Sequence, residues 1–235
     1  MLAPDGRCKS LDAGADGYSR GEACVTMGVT LIPDTDSARL TASDAVIAGS
    51  AINQDGRSSS LTAPNGPSQQ RVIRLGLQDA LLLASEMQSL EMHGTGTALG
   101  DPIEIGAAAA VLLGGPSRAA PLELSAAKNQ LGHGEPAAGT VGVCRALNRL
   151  SESFQIGLLH LVAVNPYIVT TLEQPSFDKV AMPRQLSTAP YGGAVGISGF
   201  AFQGTNAHVV MHRQVISLSH QLNWVLFIRR LRSRL

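Results

Sequence analysis

The sequence is poor in cysteine, in aromatic residues and in charge, and each shortage argues against a class of protein. The three cysteines, Cys8, Cys24 and Cys144, share no CxxC or histidine-rich spacing, which argues against a disulfide framework or a structural zinc site. Only 15% of the residues are charged while 44% are hydrophobic, so a chain that is disordered throughout is excluded. The 235 residues suffice for one core of ordinary size or two small ones.

Long apolar runs and targeting signals are also missing from the sequence. No stretch of about 18 uninterrupted apolar residues occurs, so an ordinary membrane-spanning helix is not expected. The first residues, MLAPDGR, lack the apolar region of a secretory signal. We therefore expect a cytoplasmic location.

The zero net charge hides two unlike parts of the chain. Residues 212–235 hold five arginines and no acid, so residues 1–211 carry 13 basic and 18 acidic groups. A mildly acidic body argues against binding to nucleic acid, which requires a basic face. The composition predicts a body over residues 1–211 and a basic tail of unknown role over residues 212–235. A membrane-surface helix, a linker helix and sequence without function all remain open for this tail.

Strand and helix patterns alternate along the body, which predicts a layered α/β fold. Strands are predicted at Val25–Ile32, Asp44–Asn53, Ser89–Met92, Leu122–Ala126, Ala194–Ile197 and Ala207–Met211. One helix is predicted from Pro67 to about Met87, a second from an Asp101–Glu104 capping box to Leu113, and a third over Ala137–Leu150.

Three polar or glycine-containing segments follow or join predicted strands, where α/β folds place functional groups. They are HGTGT (residues 93–97), KNQLGHGE (128–135) and GFAFQGTNAH (199–208). An imidazole close to a helix N-terminus stays neutral, which suits proton or hydrogen-bond transfer near pH 7. Taken alone, each segment also fits a purely structural role. HGTGT fits a glycine turn, KNQLGHGE a solvated loop, and GFAFQGTNAH a hairpin flanked by two core rings.

Several other chemistries do not fit the spacing. Gly94, Gly96 and Gly100 form GxGxxxG, one residue too long for a dinucleotide fingerprint, and no Walker lysine follows. No GxSxG occurs, which argues against a serine hydrolase. A metal site built from His93, His133 and His208 matches no ligand pattern.

Taken together, the segments resemble the C-terminal part of the ketosynthase (β-ketoacyl synthase) domain of type I polyketide synthases, over roughly residues 2–211. The motifs that carry the resemblance occur in the family's order: PDGRCK (4–9), DGYSRGE (16–22), GSAINQDGR (49–57), LTAPNGP (61–67), HGTGT with LGDPIE (93–104), KNQLGH (128–133), NP (165–166) and GTNAH (204–208).

The resemblance implies a thiolase-like αβαβα fold, here incomplete because the N-terminal half is missing. It implies acyltransferase chemistry of polyketide and fatty acid biosynthesis, a decarboxylative Claisen condensation of a malonyl with an acyl thioester. No cofactor is expected to bind directly, because the substrates arrive on the phosphopantetheine arm of an acyl carrier protein. The intact family forms homodimers, which is doubtful for this chain.

The resemblance also implies roles for individual residues. His93 and His133 resemble the catalytic histidines that stabilise the malonyl enolate, and Lys128 the lysine that sets the electrostatics, with Glu135 near it. Thr95 and Thr97 resemble the residues that contact the phosphopantetheine arm. Phe202 resembles the phenylalanine that gates the acyl pocket.

Departures from the family pattern leave a second hypothesis open. The family's nucleophilic cysteine precedes the position where this sequence begins, and none of its three cysteines is a plausible replacement. Ala201 and Gln203 replace smaller residues and are expected to narrow the pocket entrance, and Asn129-Gln130 departs from the usual pair after the lysine. The alternative to a ketosynthase fragment is a non-catalytic module that binds carrier protein or complements an N-terminal half, or a truncated gene model.

Overall fold

A computed structural model of the chain describes residues 2–32, 45–56, 63–115, 118–152, 154–173, 176–188, 193–213 and 225–229. The helices are α1 (Gly66–Asp79), α2 (Gly100–Leu112), α3 (Lys128–Leu131), α4 (Ala138–Glu152) and α5 (Pro166–Thr171). The strands are β1 (Gly28–Ile32), β2 (Val46–Gln54), β3 (Met87–Glu91), β4 (Leu122–Ser125), β5 (Phe154–Gln155), β6 (Val180–Ala181), β7 (Ser187–Thr188), β8 (Ala194–Phe200), β9 (Thr205–His212) and β10 (Val225–Arg229).

Eight of these strands form one mixed sheet in the order β1-β10-β2-β9-β8-β3-β4-β6. At one side of the sheet, β8, β3, β4 and β6 run parallel to one another. At the other side, β1, β10, β2, β9 and β8 pair antiparallel, each with the next. β5 and β7 form a separate small antiparallel pair. The parallel part matters most for function, because the carboxyl ends of its strands meet at one edge.

Helices cover both faces of the sheet. Along β8 and β9, consecutive residues point to opposite sides. Ala194 and Val210 belong to the core beneath α1, α2 and α5, whereas Val195, Ile197 and Met211 pack with residues of α4. Each fully buried aliphatic side chain contributes about 1.5–3 kcal/mol of transfer free energy. The predicted layered α/β architecture is therefore confirmed.

Helix α1 begins where the sequence predicts and ends earlier. The Asn65 side chain accepts a hydrogen bond from the backbone N–H of Ser68, and Pro67 occupies the first turn. The predicted end near Met87 is wrong, because the helix stops at Asp79 and Leu81 adopts a left-handed φ of 55°. Leu81, which continues the apolar period of the predicted helix, is exposed, and a short 3₁₀ turn at Ala84–Glu86 leads into β3.

Part of the predicted tail lies within the described residues. Residues 225–229 form β10, which pairs with β1 and β2, so the helical alternatives are wrong for this stretch. Residues 214–224 and 230–235, which contain most of the tail, lie outside the described residues. In the part of the chain that the structure describes, no helix has the length and hydrophobicity needed to cross a bilayer. The cytoplasmic location stays a prediction.

Candidate active site

The three segments singled out in the sequence meet at the carboxyl edge of the parallel strands. His93 follows β3, Lys128 follows the neighbouring β4, and Phe200 ends β8 on the other side of β3. Because β4 and β8 both pair in parallel with β3, their ends reach the same edge of the sheet. Fold topology, rather than closeness in sequence, assembles the site.

Two imidazoles form the centre of this site. The ring centroids of His93 and His133 lie 5.5 Å apart, with an angle of 84° between the ring planes. His133 is buried and His93 is partly exposed. The ring of Phe200, which belongs to the third segment but to which the resemblance gives no role, lies 5.8 Å from that of His93.

The tautomer of His133 is set by the backbone. The N–H of Glu135 donates to Nδ1 of His133 over 3.1 Å. A ring nitrogen that accepts from an amide cannot itself carry the proton in the neutral ring. The proton of neutral His133 therefore resides on Nε2, where it can be donated to a ligand.

Both histidines are held in the neutral form. Burial, together with the charge of Lys128, lowers the pKa of His133 to about 4. Burial and Lys128 also hold the pKa of His93 well below its usual value, with a smaller contribution from His133. Near pH 7 the site thus offers two uncharged imidazoles, as the sequence predicted, but burial and a lysine are the cause rather than a helix N-terminus alone.

Lys128 lies among buried carboxylates. It is 6% exposed, and burial lowers its pKa while Glu91, Glu104 and Asp101 act in the opposite direction. Burial raises the pKa of Asp101 to about 6 and that of Glu104 to about 7. The charge of Lys128 lowers the pKa values of the acids and of both imidazoles, so it compensates the acids and disfavours protonation of the rings.

The acids hold the loops that carry the histidines. Glu104 accepts hydrogen bonds from the backbone N–H groups of His93 and Gly94, over 2.7 and 2.8 Å. Asp101 accepts from Leu11 N and Gly96 N, and Glu91 accepts from Ala127 N and the hydroxyl of Ser125. The predicted capping box is therefore wrong: α2 begins at Gly100 without a side-chain cap, and both acids bind the preceding loops.

Thr95 and Thr97 lie together beside this loop. Their hydroxyl oxygens are 3.3 Å apart, and Gly100 N donates to Thr97 Oγ1 over 3.2 Å. Both residues are partly buried. Contact of either threonine with a phosphopantetheine arm stays a prediction.

Glu135 and Phe202 both lie next to the segment of Tyr18 and Arg20, and the role that the resemblance implies for each stays a prediction. Glu135 does not pair with Lys128; its Oε1 binds Arg20 Nη1 at 2.7 Å. Phe202 is 45% exposed, and its ring lies 6.2 Å from that of Tyr18, which in turn packs edge-on against His133. Tyr18 and Arg20 thus belong to the site, although no periodicity in the sequence marks them.

The residues that depart from the family pattern are accommodated without strain. Asn129 donates to Cys8 O and accepts from His160 N, while Gln130 bridges Gly157 O and the guanidinium of Arg145. Ala201 and Gln203 lie exposed in the turn before β9. Narrowing of a pocket entrance by these two residues stays a prediction.

His208 lies apart from the two site histidines, in the core. Its Nδ1 is 3.1 Å from Ser198 Oγ, and its ring packs against Gly76 of α1 and Gly196 of β8. Within the described ranges, no group of three or more His, Cys, Asp or Glu side chains is arranged to hold a metal ion.

The cysteines have unlike surroundings. Cys8 is 1% exposed, and its sulfur accepts a hydrogen bond from Ser19 N over 3.2 Å. Cys24 is exposed and Cys144 is half-buried within α4. None of the three stands at the start of a helix facing the two imidazoles, the position that would activate a thiol.

Comparison with known proteins shows the family to which the chain belongs. The family model described as beta-ketoacyl synthase, C-terminal domain, matches residues 44–161, half of the chain. Polyketide synthase GfsA of Streptomyces halstedii is 39% identical over 214 residues, which are 90% of this chain and 3% of that protein. Erythronolide synthase EryA3 of Saccharopolyspora erythraea is 39% identical over 212 residues, 89% of this chain and 6% of that protein.

Solved structures show the same likeness. The oxazolomycin ketosynthase domain OzmH KS7 of Streptomyces albus JA3453 superposes with a TM-score of 0.79 at 26% identity. The ketosynthase from module 6 of the bacillaene synthase of Bacillus subtilis 168 gives 0.78 at 27% identity. In both, the match covers 92% of this chain and 38% of the solved chain, so the chain spans well under half of a ketosynthase domain with the thiolase-like fold. The chain belongs to the β-ketoacyl synthase family.

Proposed function

We propose that this chain supplies the decarboxylation half of a polyketide synthase ketosynthase site. The observation that carries the proposal is the pair of neutral imidazoles, His93 and His133, whose rings lie 5.5 Å apart beside the buried Lys128. Two neutral imidazoles this close together suit the stabilisation of a developing oxyanion better than they suit a proton relay.

The proposed step breaks the bond between the carboxylate carbon and Cα of a malonyl thioester. Carbon dioxide leaves, and the electron pair remains on Cα as an enolate whose negative charge lies largely on the thioester oxygen. The Nε2–H of His133 donates to that oxygen, and His93 donates a second hydrogen bond. The charge of Lys128 disfavours protonation of both rings and so keeps the donors neutral.

The complete reaction joins this enolate to an acyl group. The enolate carbon attacks the carbonyl of an acyl thioester and expels its thiolate, which lengthens the chain by two carbons. The similarity to polyketide synthases supports substrates presented on phosphopantetheine by an acyl carrier protein, with Thr95 and Thr97 beside the arm. The acyl group is expected on a cysteine other than Cys8, Cys24 and Cys144.

Release of labelled carbon dioxide from a malonyl-carrier protein tests the proposal. The wild-type chain should release it faster than buffer does, and His93→Ala should lower this excess by about 100-fold, the usual effect of losing one oxyanion donor. His212→Gln, at the end of β9, is the matched control and should leave the rate unchanged. A rate that survives His93→Ala would reject the decarboxylation site and favour a binding module without catalysis.

A further inference from the structure

The segment at Tyr18–Gly21 holds the His133 loop through its backbone. His133 N donates to Ser19 O over 2.7 Å, and Gly21 N donates to His133 O over 3.0 Å. These two bonds form a parallel bridge between Arg20 and His133. They fix the main chain of His133 but leave free the rotation of its ring and the orientation of the next peptide groups.

The peptide group that orients the ring belongs to Glu135, and its backbone is strained. Glu135 has a φ of 44°, in the left-handed region that non-glycine residues rarely adopt. The peptide between Gly134 and Glu135 points its N–H at Nδ1 of His133, 3.1 Å away. Because the Arg20–His133 bridge fixes the chain before this peptide and α4 fixes it after, turning the peptide away from the ring would also change the φ of Glu135. Left-handed backbone is unfavourable for any residue with a Cβ, so Glu135 needs a compensating contact to keep this conformation.

The side chain of Glu135 provides the compensating contact. Its Oε1 binds Arg20 Nη1 at 2.7 Å, and the hydroxyl of Tyr18 donates to the same oxygen over 3.5 Å. Tyr18 is buried, and its ring meets the ring of His133 edge to face with centroids 5.0 Å apart. One short segment therefore holds both the strained residue and the imidazole that this residue orients.

We propose that Tyr18, Arg20 and Glu135 form a latch that positions His133. Anchoring of the Glu135 carboxylate keeps the Glu135 backbone left-handed, and that backbone keeps the proton of His133 on Nε2. The three are positioning residues that act through His133. Their catalytic value rests on the proposed function, but the geometry they impose does not.

Nitrogen NMR of the imidazole rings in the full chain tests the latch without any substrate. The two ring ¹⁵N shifts of His133 report the ratio of the Nε2–H to the Nδ1–H tautomer. Wild type should show almost only Nε2–H. Glu135→Ala should lower the ratio by about 2- to 5-fold, because an alanine has to hold the left-handed backbone without the exposed ion pair that anchors the glutamate.

A matched glycine variant separates the backbone from the charge. Glu135→Gly also lacks the carboxylate but adopts a positive φ at no steric cost, so it should keep a higher ratio than Glu135→Ala. Arg20→Gln should lower the ratio, and Arg20→Lys should restore part of it. Glu173→Gln, an exposed acid after α5, is the control for loss of one negative charge and should match wild type.

Two results would overturn the latch. One is an unchanged ratio in both Glu135→Ala and Arg20→Gln. The other is an equal loss in Glu135→Ala and Glu135→Gly, because the carboxylate would then act without fixing the backbone. If Glu135→Ala does not fold, the tautomer ratios of Arg20→Gln and Arg20→Lys test the latch, and an unchanged ratio in Arg20→Gln overturns it. If the chain does not decarboxylate a malonyl thioester but the tautomer ratios are as predicted, the proposed function is rejected and the latch is still supported.

Discussion

The rings of His93 and His133 meet edge to face, with centroids 5.5 Å apart and planes at 84°. The two residues belong to different loops, and each loop is fixed by an acid or a backbone bridge of its own. Glu104 holds the loop of His93, and the segment around Arg20 holds the loop of His133. The placement of the two main chains that carry the pair therefore depends on contacts that do not touch the rings.

Replacing Glu104 should loosen the His93 loop. In Glu104→Gln, an amide NH₂ faces one of the two backbone N–H donors that the carboxylate now satisfies. Above pH 8 the wild-type acid is ionised, since its pKa is about 7. The free energy of unfolding should fall by about 2 kcal/mol, the usual value for a buried hydrogen bond to a charged group. Urea denaturation at pH 8.5 measures this change.

Glu86 provides the matched control for that experiment. Its carboxylate also accepts a backbone N–H, from Leu83 over 2.7 Å, but at an exposed site. Glu86→Gln should therefore cost less than about 1 kcal/mol. Equal losses at the two positions would show that burial gives Glu104 no special part in holding the loop.

Gly21 is predicted to tolerate no side chain. A Cβ at this position would fall on the carbonyl oxygen of Leu131 and close to the backbone of Gly132. Gly21→Ala should destabilise the chain by about 1–3 kcal/mol, as overpacking does. At Gly139 in α4, nothing lies within 4 Å of the place that a methyl group would take, so Gly139→Ala should instead add about 0.5 kcal/mol. Thermal unfolding of both variants measures the opposite shifts.

His208 should make stability depend on pH. Burial lowers its pKa to about 4, while an unfolded histidine titrates near 6.5. Between these values the unfolded chain binds more protons, so this contribution is complete above pH 6.5 and is lost as the pH falls toward 4. The slope for one proton is about 1.4 kcal/mol per pH unit.

The variant His208→Gln isolates that slope. Glutamine has no proton to take up, and it can still form a hydrogen bond with Ser198. Urea midpoints between pH 7 and pH 4.5 should therefore fall less steeply in the variant than in wild type. Parallel curves for the two proteins would mean that His208 does not stay neutral in the folded chain.

The cysteines should not form an acyl-enzyme. Cys8 is buried against Ser19, and covalent catalysis needs an accessible thiolate next to a base. After incubation with an acyl thioester, intact-mass measurement should show no stable adduct on the folded chain. An acyl group retained on Cys8 would contradict this assignment and would make Cys8 a nucleophile.

The sequence alone predicts the elements of the site better than the contacts that hold it. Strand patterns predict that the segments of His93, Lys128 and Phe200 follow or join strands, whereas the common sheet edge at which they meet follows only from the observed strand order. The end of α1 could not be predicted, because Leu81 and Ala84 continue the apolar period and no glycine or proline marks the stop. Pairing of β3 with its neighbours overrides that local pattern.

The hydrogen-bond partners of Asp101 and Glu104 were also beyond prediction from the sequence. Asp101-Pro-Ile-Glu104 has the spacing of a capping box, and no local signal distinguishes a cap from an anchor for another loop. Asp101 binds Leu11 N, which lies far away in sequence, so only the assembled fold reveals its partner. Tyr18 and Arg20 escaped prediction for the same reason, since their partners belong to the loop of Glu135.

Decarboxylation by the His93→Ala, His133→Ala double variant tests the central claim most directly. If both imidazoles stabilise one oxyanion, each single variant should lose about 100-fold in the release of carbon dioxide from a malonyl thioester. The double variant should then lose clearly less than the product of the two single losses, because groups that act as a unit are not additive. Losses that multiply, or a single variant with the wild-type rate, would contradict the account.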